Sequence, residues 1–439
     1  MHMQSRPDAS ALEQRTLRKV VWRLVPFLMI CYLLAFIDRG NVGMASLQMN
    51  HDLGLTARVF GFGSSLFFVS YFFFEVPSNM ALQRYGARLW IARIMITWGL
   101  ISAATALVST PTAFYALRFL LGAAEAGFFP GVLLYLSYWV PARYRARIIA
   151  TFMVAIPAAS FIGSPISAAL LQMDGFAGLR GWQWLFILEG IPTVLLGFVC
   201  LALLTNKPAE ARWLDDDERQ WLTAEIAGEA RAPAKVASMP LTKLFRNRYV
   251  LCLALVDVCA SGAGSTLSVW QPQLLKSYGL SVMETGLLNS VPYALASVLM
   301  VWWGRRSDRR QERRWHTVIP MLFIGLGLFG TSLSGSLVPT MMMLCAVLVG
   351  AYAFKGPFWA LASSMLSNTT AAAGLATINA IANLLGGGLM VNVYGWVKEA
   401  TGSYALALMP LGILTLVSVL TLLLLSRTSR RVENKVGVA

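Results

Sequence analysis

Apolar residues fall in twelve blocks, each of about the 20 positions a helix needs to cross a bilayer, divided by short polar stretches. The blocks lie at 20–45, 56–78, 88–108, 112–139, 148–172, 182–204, 247–275, 284–304, 317–336, 339–366, 371–397 and 404–426. They predict an all-α polytopic membrane protein. The divisions between the ninth, tenth and eleventh blocks are the least sharply marked, because loops such as Ser-Asn-Thr-Thr at 367–370 are short and uncharged.

One long polar stretch, 205–246, splits the blocks six and six. It contains Asp215, Asp216, Asp217 and Glu218, the spacing of a capping box with Asp215 as N-cap and Glu218 at the third helical position. That predicts a helix to about Ala230, ended by Ala232-Pro233-Ala234, after which Leu241, Leu244 and Phe245 form an amphipathic return to the membrane. A disordered linker is the other reading. The chain so divides into an N-terminal segment (1–19), a first six-helix half (20–204), the linker (205–246), a second six-helix half (247–426) and a tail (427–439). A weak repeat supports the division: a basic loop with Gln83, Arg84, Gly86 and Arg88 follows the second block, and one with Asp308, Arg309 and Arg313 follows the eighth. Two repeated halves with the site between them is a carrier architecture.

Composition agrees with a membrane protein: 57% of the 439 residues are hydrophobic and 13% charged. The net charge of +15 does not mark a nucleic-acid partner, because no aromatic-basic motif accompanies it. The basic residues gather in alternate loops instead: Arg15, Arg18 and Lys19; Arg84 and Arg88; Arg143, Arg145 and Arg147; Arg305 to Arg314; Arg427, Arg430 and Arg431. The positive-inside pattern puts both termini in the cytoplasm of a cell whose inner (plasma) membrane the chain spans. The five cysteines lie in apolar stretches without a C-x-x-C pair, and the three histidines lie at the terminus or in loops. No metal cluster, cofactor motif or nucleophile–base pair is visible, so the chain reads as a carrier and not an enzyme.

Charges in the middle of spanning blocks are the candidate chemistry. Each costs roughly 2.5–3.5 kcal/mol on insertion scales and marks function by default. Arg118 and Glu125, seven residues apart, share nearly one helix face about 10 Å apart along the axis. Glu125 is either a carboxyl that exchanges a proton between conformations or the permanent partner of Arg118. Asp38 and Arg39 are adjacent, hence about 100° apart; Arg39 is expected toward a cavity and Asp38 toward the fourth span, near Arg118. Lys355 with Arg39 gives two cationic points suited to a dicarboxylate, Arg39 bidentate and Lys355 as a point charge. Lys355 snorkelling to an interface, or pairing with Asp257, is the alternative. Tyr71 and Trp359 are cavity walls or ordinary helix packing. Gly386-Gly387-Gly388 suits close helix contact and bending, since no strand precedes it and no Lys-Ser follows.

The basic loops resemble the G-x-x-x-D-R-x-G-R-R signature of the major facilitator superfamily. The second loop keeps Gly304, Asp308 and Arg309, while the first has Asn79 and Gln83 in place of the glycine and aspartate. Ile37-Asp38-Arg39-Gly40-Asn41 resembles the D-R-x-N motif of the anion:cation symporter family. The stretch from Arg118 through Glu125 to Gly131 is similar to that family's fourth span, and Gly181 to Pro192 to its sixth-span opening. Lys355-Gly356-Pro357-Phe358-Trp359 is similar to tartrate/phthalate-type members. The resemblance implies Asp38 and Glu125 as proton carriers, Arg39 as the substrate arginine, Arg118 as a gating or pKa-setting partner, and Asp257, Asp308 and Arg309 as further charge partners. Asn379 and Asn383 resemble an N-x-x-x-N pair whose first asparagine reaches substrate hydroxyls. The function so implied is proton-coupled uptake of a small organic anion by a monomeric carrier with no cofactor. Uptake of a sugar-acid monocarboxylate, drug/proton antiport and a non-transporting carboxylate receptor are the alternatives. The antiporter signature G-x-x-x-G-P-x-x-G-G is incomplete at Ala159 to Ile166.

Overall fold

The computed structural model describes residues 7–231, 246–366 and 371–436, all of whose regular elements are helical. Twelve helical spans are long and apolar enough to cross a membrane. They run Ala11–Asp52, Ala57–Tyr85, Ala87–Leu107, Pro111–Ser137, Phe152–Leu171 and Gly181–Leu203 in the first half. The second half holds Arg248–Lys276, Val282–Arg310, Arg314–Leu333, Leu337–Met365, Ala373–Thr401 and Leu406–Leu425. The expected end of the linker helix at 232–234, the amphipathic return at Leu241, Leu244 and Phe245, and the 367–370 loop lie outside the described residues.

Local chemistry sets the span ends. Thr56 and Thr110 accept from the backbone N–H groups of Val59 and Ala113, and Pro111 follows at the first helical position. Ser281 and Glu284 form a reciprocal capping box. Gly86, at φ 88°, turns the chain between the second and third spans in a region that disfavours other residues.

Three spans are irregular. The fourth breaks after Glu125: Ala126 is extended and Gly127 left-handed at φ 85°. A β-carbon on Gly127 would lie 2.5 Å from the Ser78 hydroxyl, so the break is also a close helix contact. The tenth divides into Leu337–Ala353 and Lys355–Met365, where Pro357 leaves the Ala353 carbonyl without its helical donor. The eleventh widens into a π-helix over Ala382–Leu389. There Gly386 abuts the Val258 carbonyl at 2.6 Å and Gly387 the Phe68 ring at 2.4 Å, measured from where a β-carbon would sit. The glycine run therefore does let helices touch, as its sequence suggested.

Because the span number is even, both ends of the chain lie on one face, here termed the terminal face. The halves meet on the opposite side. A β-carbon on Gly43 would lie 2.5 Å from the Ser268 carbonyl, on Gly395 2.5 Å from the Ala57 carbonyl, and on Gly286 2.8 Å from the Ser164 carbonyl. Among the described residues the hydrogen bonds crossing between halves are Arg58 N–H to Glu399 (2.8 Å) and Asn289 to Ser164 (2.8 Å), both on that side. These contacts join the halves opposite the termini.

The linker helix, Asp216–Arg231, forms where the acidic run predicted it, and Glu218 reaches back to the Asp215 N–H at 3.1 Å. The helix docks on the first half. Glu218 is fully buried and accepts from Arg15 Nε (2.8 Å) and Lys19 Nζ (2.9 Å). Arg15 also meets Asp217, Lys19 meets Asp215, and Arg145 meets Glu229 at 2.7 Å. Trp213 stacks on Trp139 with ring centroids 5.4 Å apart. The hydrogen bond from Lys19 holds Asp215 below its ordinary range, and the bonds to Glu218 first, with the other acids, raise Lys19 and Arg15. A depressed carboxyl stabilises the docked state above its unfolded value near about 3.9 and loses that as pH falls; a raised lysine stabilises it below about 10.4 and loses it as pH rises. Amide protection factors across 216–231, which take out the intrinsic pH dependence of exchange, should therefore be highest between about pH 4 and 10 and fall with salt, which screens exposed pairs. Protection insensitive to both would mean that apolar packing alone holds the helix.

Candidate functional site

Asp38 and Arg39 leave the middle of the first span in different directions. Asp38 is buried and accepts three hydrogen bonds: from Trp98 Nε1 at 2.6 Å, from Asn41 Nδ2 at 2.8 Å and from the Ser102 hydroxyl. Three donors on one carboxyl, with no acceptor facing it, fit the ionised form. Asp38 thus faces the third span, not the fourth as its position suggested. Arg118 is within electrostatic reach of it without a hydrogen bond.

Arg39 turns to the fourth span. Its Nε and Nη2 both approach Oε1 of Glu125, at 2.7 and 2.6 Å. The guanidinium lies over the rings of Phe36, Phe67 and Tyr71 at 4.8, 5.4 and 5.1 Å. Glu125 is fully buried while the Arg39 side chain keeps 23% of its exposure, so the arginine is the accessible member of the pair. The partner of Glu125 is therefore Arg39, and the alternative of a permanent Arg118–Glu125 pair is not seen among the described residues. Spacing correctly put Arg118 and Glu125 on one face, but an arginine from another helix took the contact. Arg118 is left 2% exposed above Phe67, with Nε and Nη1 unpartnered among the described residues. It balances Asp38 and Glu125 through space.

The second half contributes Lys355, at the kink of the tenth span. It is half-buried, with its Nζ 6.0 Å from the Tyr352 ring. It makes no hydrogen bond or ion pair among the described residues, but Asp257 and Arg39 are within electrostatic reach. Direct pairing with Asp257, one of the alternatives, does not occur in this conformation. Asn379 and Asn383 are half-buried, the latter inside the π-helical stretch, and Trp359 packs edge-on against Phe358 at 5.3 Å. Arg39, Tyr71, Glu125 and Lys355 therefore form one group.

Asp308 and Arg309 do not join it. They are exposed in the last turn of the eighth span, where Asp308 pairs with Arg313 at 2.5 Å. Arg309 lines a surface cleft of about 680 Å³ with Arg305, Arg306, Arg310 and Trp302. None of the buried charges lines that cleft.

Sequence reading did not single out Trp98, Ser102 or Glu189 as site members. Glu189, in the sixth span, is 7% exposed and accepts from the Ser167 hydroxyl at 2.7 Å. It carried the same signal as the others, a carboxyl inside an apolar block. Nothing in the sequence marked Trp98 or Ser102 as its donors' equivalents for Asp38.

Residues 28–391 match the Major Facilitator Superfamily. Over 428 residues the chain is 48% identical to the "Putative tartrate transporter" of Agrobacterium vitis, covering 98% of both chains. It is 44% identical over 399 residues to the "Putative metabolite transport protein NicT" of Pseudomonas putida, covering 89% of this chain and 90% of that one. It is 39% identical over 432 residues to the "Quinolone resistance transporter" of Acinetobacter baumannii, covering 97% and 98%. The fold is similar to that of a bacterial homologue of the human lysosomal transporter Spinster in an inward-facing, occupied conformation, with a TM-score of 0.76, 17% identity, and coverage of 92% of this chain and 96% of that one.

Trp98→Phe removes one donor from an ionised, buried Asp38 while keeping the ring. A hydrogen bond to a charged group contributes about 1.5–3 kcal/mol, so thermal unfolding of the purified variant should begin at a lower temperature. An unchanged midpoint would mean that Asp38 is not ionised in this conformation.

Proposed function

The chain belongs to the major facilitator superfamily of membrane transporters, and we propose that it takes up a small organic dianion of the tartrate class together with protons, by alternating access. The observation that carries this reading is the Arg39–Glu125 contact, in which the cation best formed to grip a carboxylate is already held by an internal carboxylate. A proton on Glu125 cancels that attraction. Arg39 then becomes free for the two oxygens of a substrate carboxylate, which it binds bidentately. Proton and anion thus favour each other's binding, and both are released together when Glu125 recaptures Arg39. On this reading the basic loops place the terminal face in the cytoplasm, and the side on which the halves are joined faces outward.

Lys355 supplies the second cationic point, from the other half of the bundle. A dianion spanning Arg39 and Lys355 draws the halves together on the terminal face, while Asn379 and Asn383 offer amides to hydroxyls. Bringing each negative charge into a negative interior costs about 2.3 kcal/mol per 100 mV, which cotransported protons offset. The relatives named for tartrate support the substrate class. The relative named for quinolone resistance favours a second reading, outward transport of aromatic carboxylic acids by the same cationic hollow.

In proteoliposomes, an inward acid gradient should drive tartrate accumulation and substrate addition should alkalinise the outside. Uptake that ignores the proton gradient and follows sodium sinks the coupling, and acid-driven loss of preloaded quinolone without tartrate uptake establishes the second reading. Glu125→Gln should abolish gradient-driven accumulation while sparing counterflow exchange; loss of both in a folded protein marks a structural role instead. Lys355→Ala should weaken dicarboxylate binding by tenfold or more and monocarboxylate binding far less, about 1.4 kcal/mol being a factor of ten. Equal losses remove the case for two anionic groups.

A further inference from the structure

We infer that Glu189 is a third proton-binding carboxyl of this carrier, holding a proton in the conformation described and sharing it with Asp38 through the amide of Asn41. The inference deepens the proton coupling proposed above, and its test does not depend on transport.

It starts from two orphaned atoms. Glu189 Oε1 accepts from Ser167, but Oε2 is buried without a hydrogen-bond partner among the described residues. Asn41 is 1% exposed; its Nδ2 donates to Asp38 Oδ1, and its Oδ1 is likewise buried and unpartnered. The Asn41 side chain is in the hydrogen-bonding neighbourhood of Glu189. Both orphans are acceptors if Glu189 is ionised, and a buried acceptor left without a donor is destabilising. A single proton on Glu189 Oε2 supplies the missing donor, and its O–H can meet Asn41 Oδ1.

Asn41 cannot simply turn over to relieve the conflict. Its N–H would then serve Glu189, but its oxygen would face the Asp38 carboxylate, and Asp38 would need the proton instead. The amide thus reads which carboxyl is protonated. One arrangement has Glu189 protonated and Asp38 ionised; the other, with the amide reversed, has Glu189 ionised and Asp38 protonated. One carboxyl gains the proton that the other gives up, and the amide carries none.

Charge balance selects the first arrangement here. Asp38 and Glu125 are matched by Arg39 and Arg118. An ionised Glu189 would add a negative charge with no cation in contact, at a desolvation cost of several kcal/mol. From the first, third and fifth spans packed around it, the ionisable group in electrostatic reach of Glu189 is Asp38. Ser167 also lines the narrow cleft between the halves, with Gly40, Ser164, Ser268 and Asn289. Parting of the halves on that side would bring water to the hydroxyl that touches Glu189.

Infrared difference spectra of the purified full-length protein, recorded across a jump from neutral to alkaline pH, test this directly. The wild type should lose a protonated-carboxyl stretch that Glu189→Gln lacks from the start. Asn41→Ala should keep that stretch but shift it, because its acceptor is gone. The glutamine keeps the length of the side chain and an N–H for Asn41. If it nevertheless does not fold, the Asn41→Ala shift decides alone. A stretch that persists in Glu189→Gln, or that Asn41→Ala leaves in place, overturns the assignment. Absence of tartrate uptake alongside the expected spectra would count against the substrate and leave this carboxyl as described.

Discussion

The contact between Arg39 and Glu125 governs the rest of the site. A buried ion pair is poor evidence for stability, because removing two charges from water costs several kcal/mol per ion and apolar replacements often serve as well. On the reading proposed above, its use is that a proton can break it. Nearby features make sense as its supports. The fourth helix ends at Glu125 because Ala126 leaves helical geometry and Gly127 turns left-handed, and that turn lets the Ser78 hydroxyl approach where a β-carbon would stand. Three aromatic rings flank the Arg39 guanidinium and fix its plane without neutralising it. Asp38 is held by three donors and does not compete for Arg39.

The architecture was legible from the sequence because membrane insertion imposes a length on every apolar block, and that constraint is local. All twelve blocks reappear as spans, and the acidic run at 215–218 starts the linker helix. The identity of the charged members was legible for a similar reason: each stands out against an apolar background. Their pairing was not. Helical periodicity states which residues of one helix share a face, as it did for Arg118 and Glu125, but not how that face is turned toward its neighbours. Packing of the first span against the third and fourth decided that Asp38 meets Trp98 and that Arg39 takes Glu125. Glu189 was legible as a charge and not as a site member, since its significance lies in an orphaned oxygen that only coordinates reveal. Asp308 and Arg309 resembled a signature, yet they serve a loop at the surface.

The irregular backbone falls where the chemistry is. The fourth span breaks beside Glu125, the tenth bends at Lys355 and the eleventh widens around Asn383. Non-helical backbone at membrane depth is tolerable where it lines a hollow or is covered by protein. The run of three glycines was visible in the sequence as a point of close contact and bending. The breaks beside Glu125 and at Lys355 were not, and they fall next to charged side chains.

The distribution of charge between the halves completes the argument. Three buried acids of the first half, Asp38, Glu125 and Glu189, stand beside two arginines, Arg39 and Arg118, a set that balances when Glu189 is neutral. The second carries Lys355 with Asp257, not in contact with each other. The hydrogen bonds between halves from Arg58 to Glu399 and from Asn289 to Ser164 both lie on the side opposite the termini. On the reading proposed here a dianion adds a further bond: one carboxylate on Arg39 from the first half, the other on Lys355 from the second. A monoanion satisfies either cation but cannot join the two. The separation of the cations onto opposite halves is therefore what would make charge on the cargo a requirement for closure, and not only for binding.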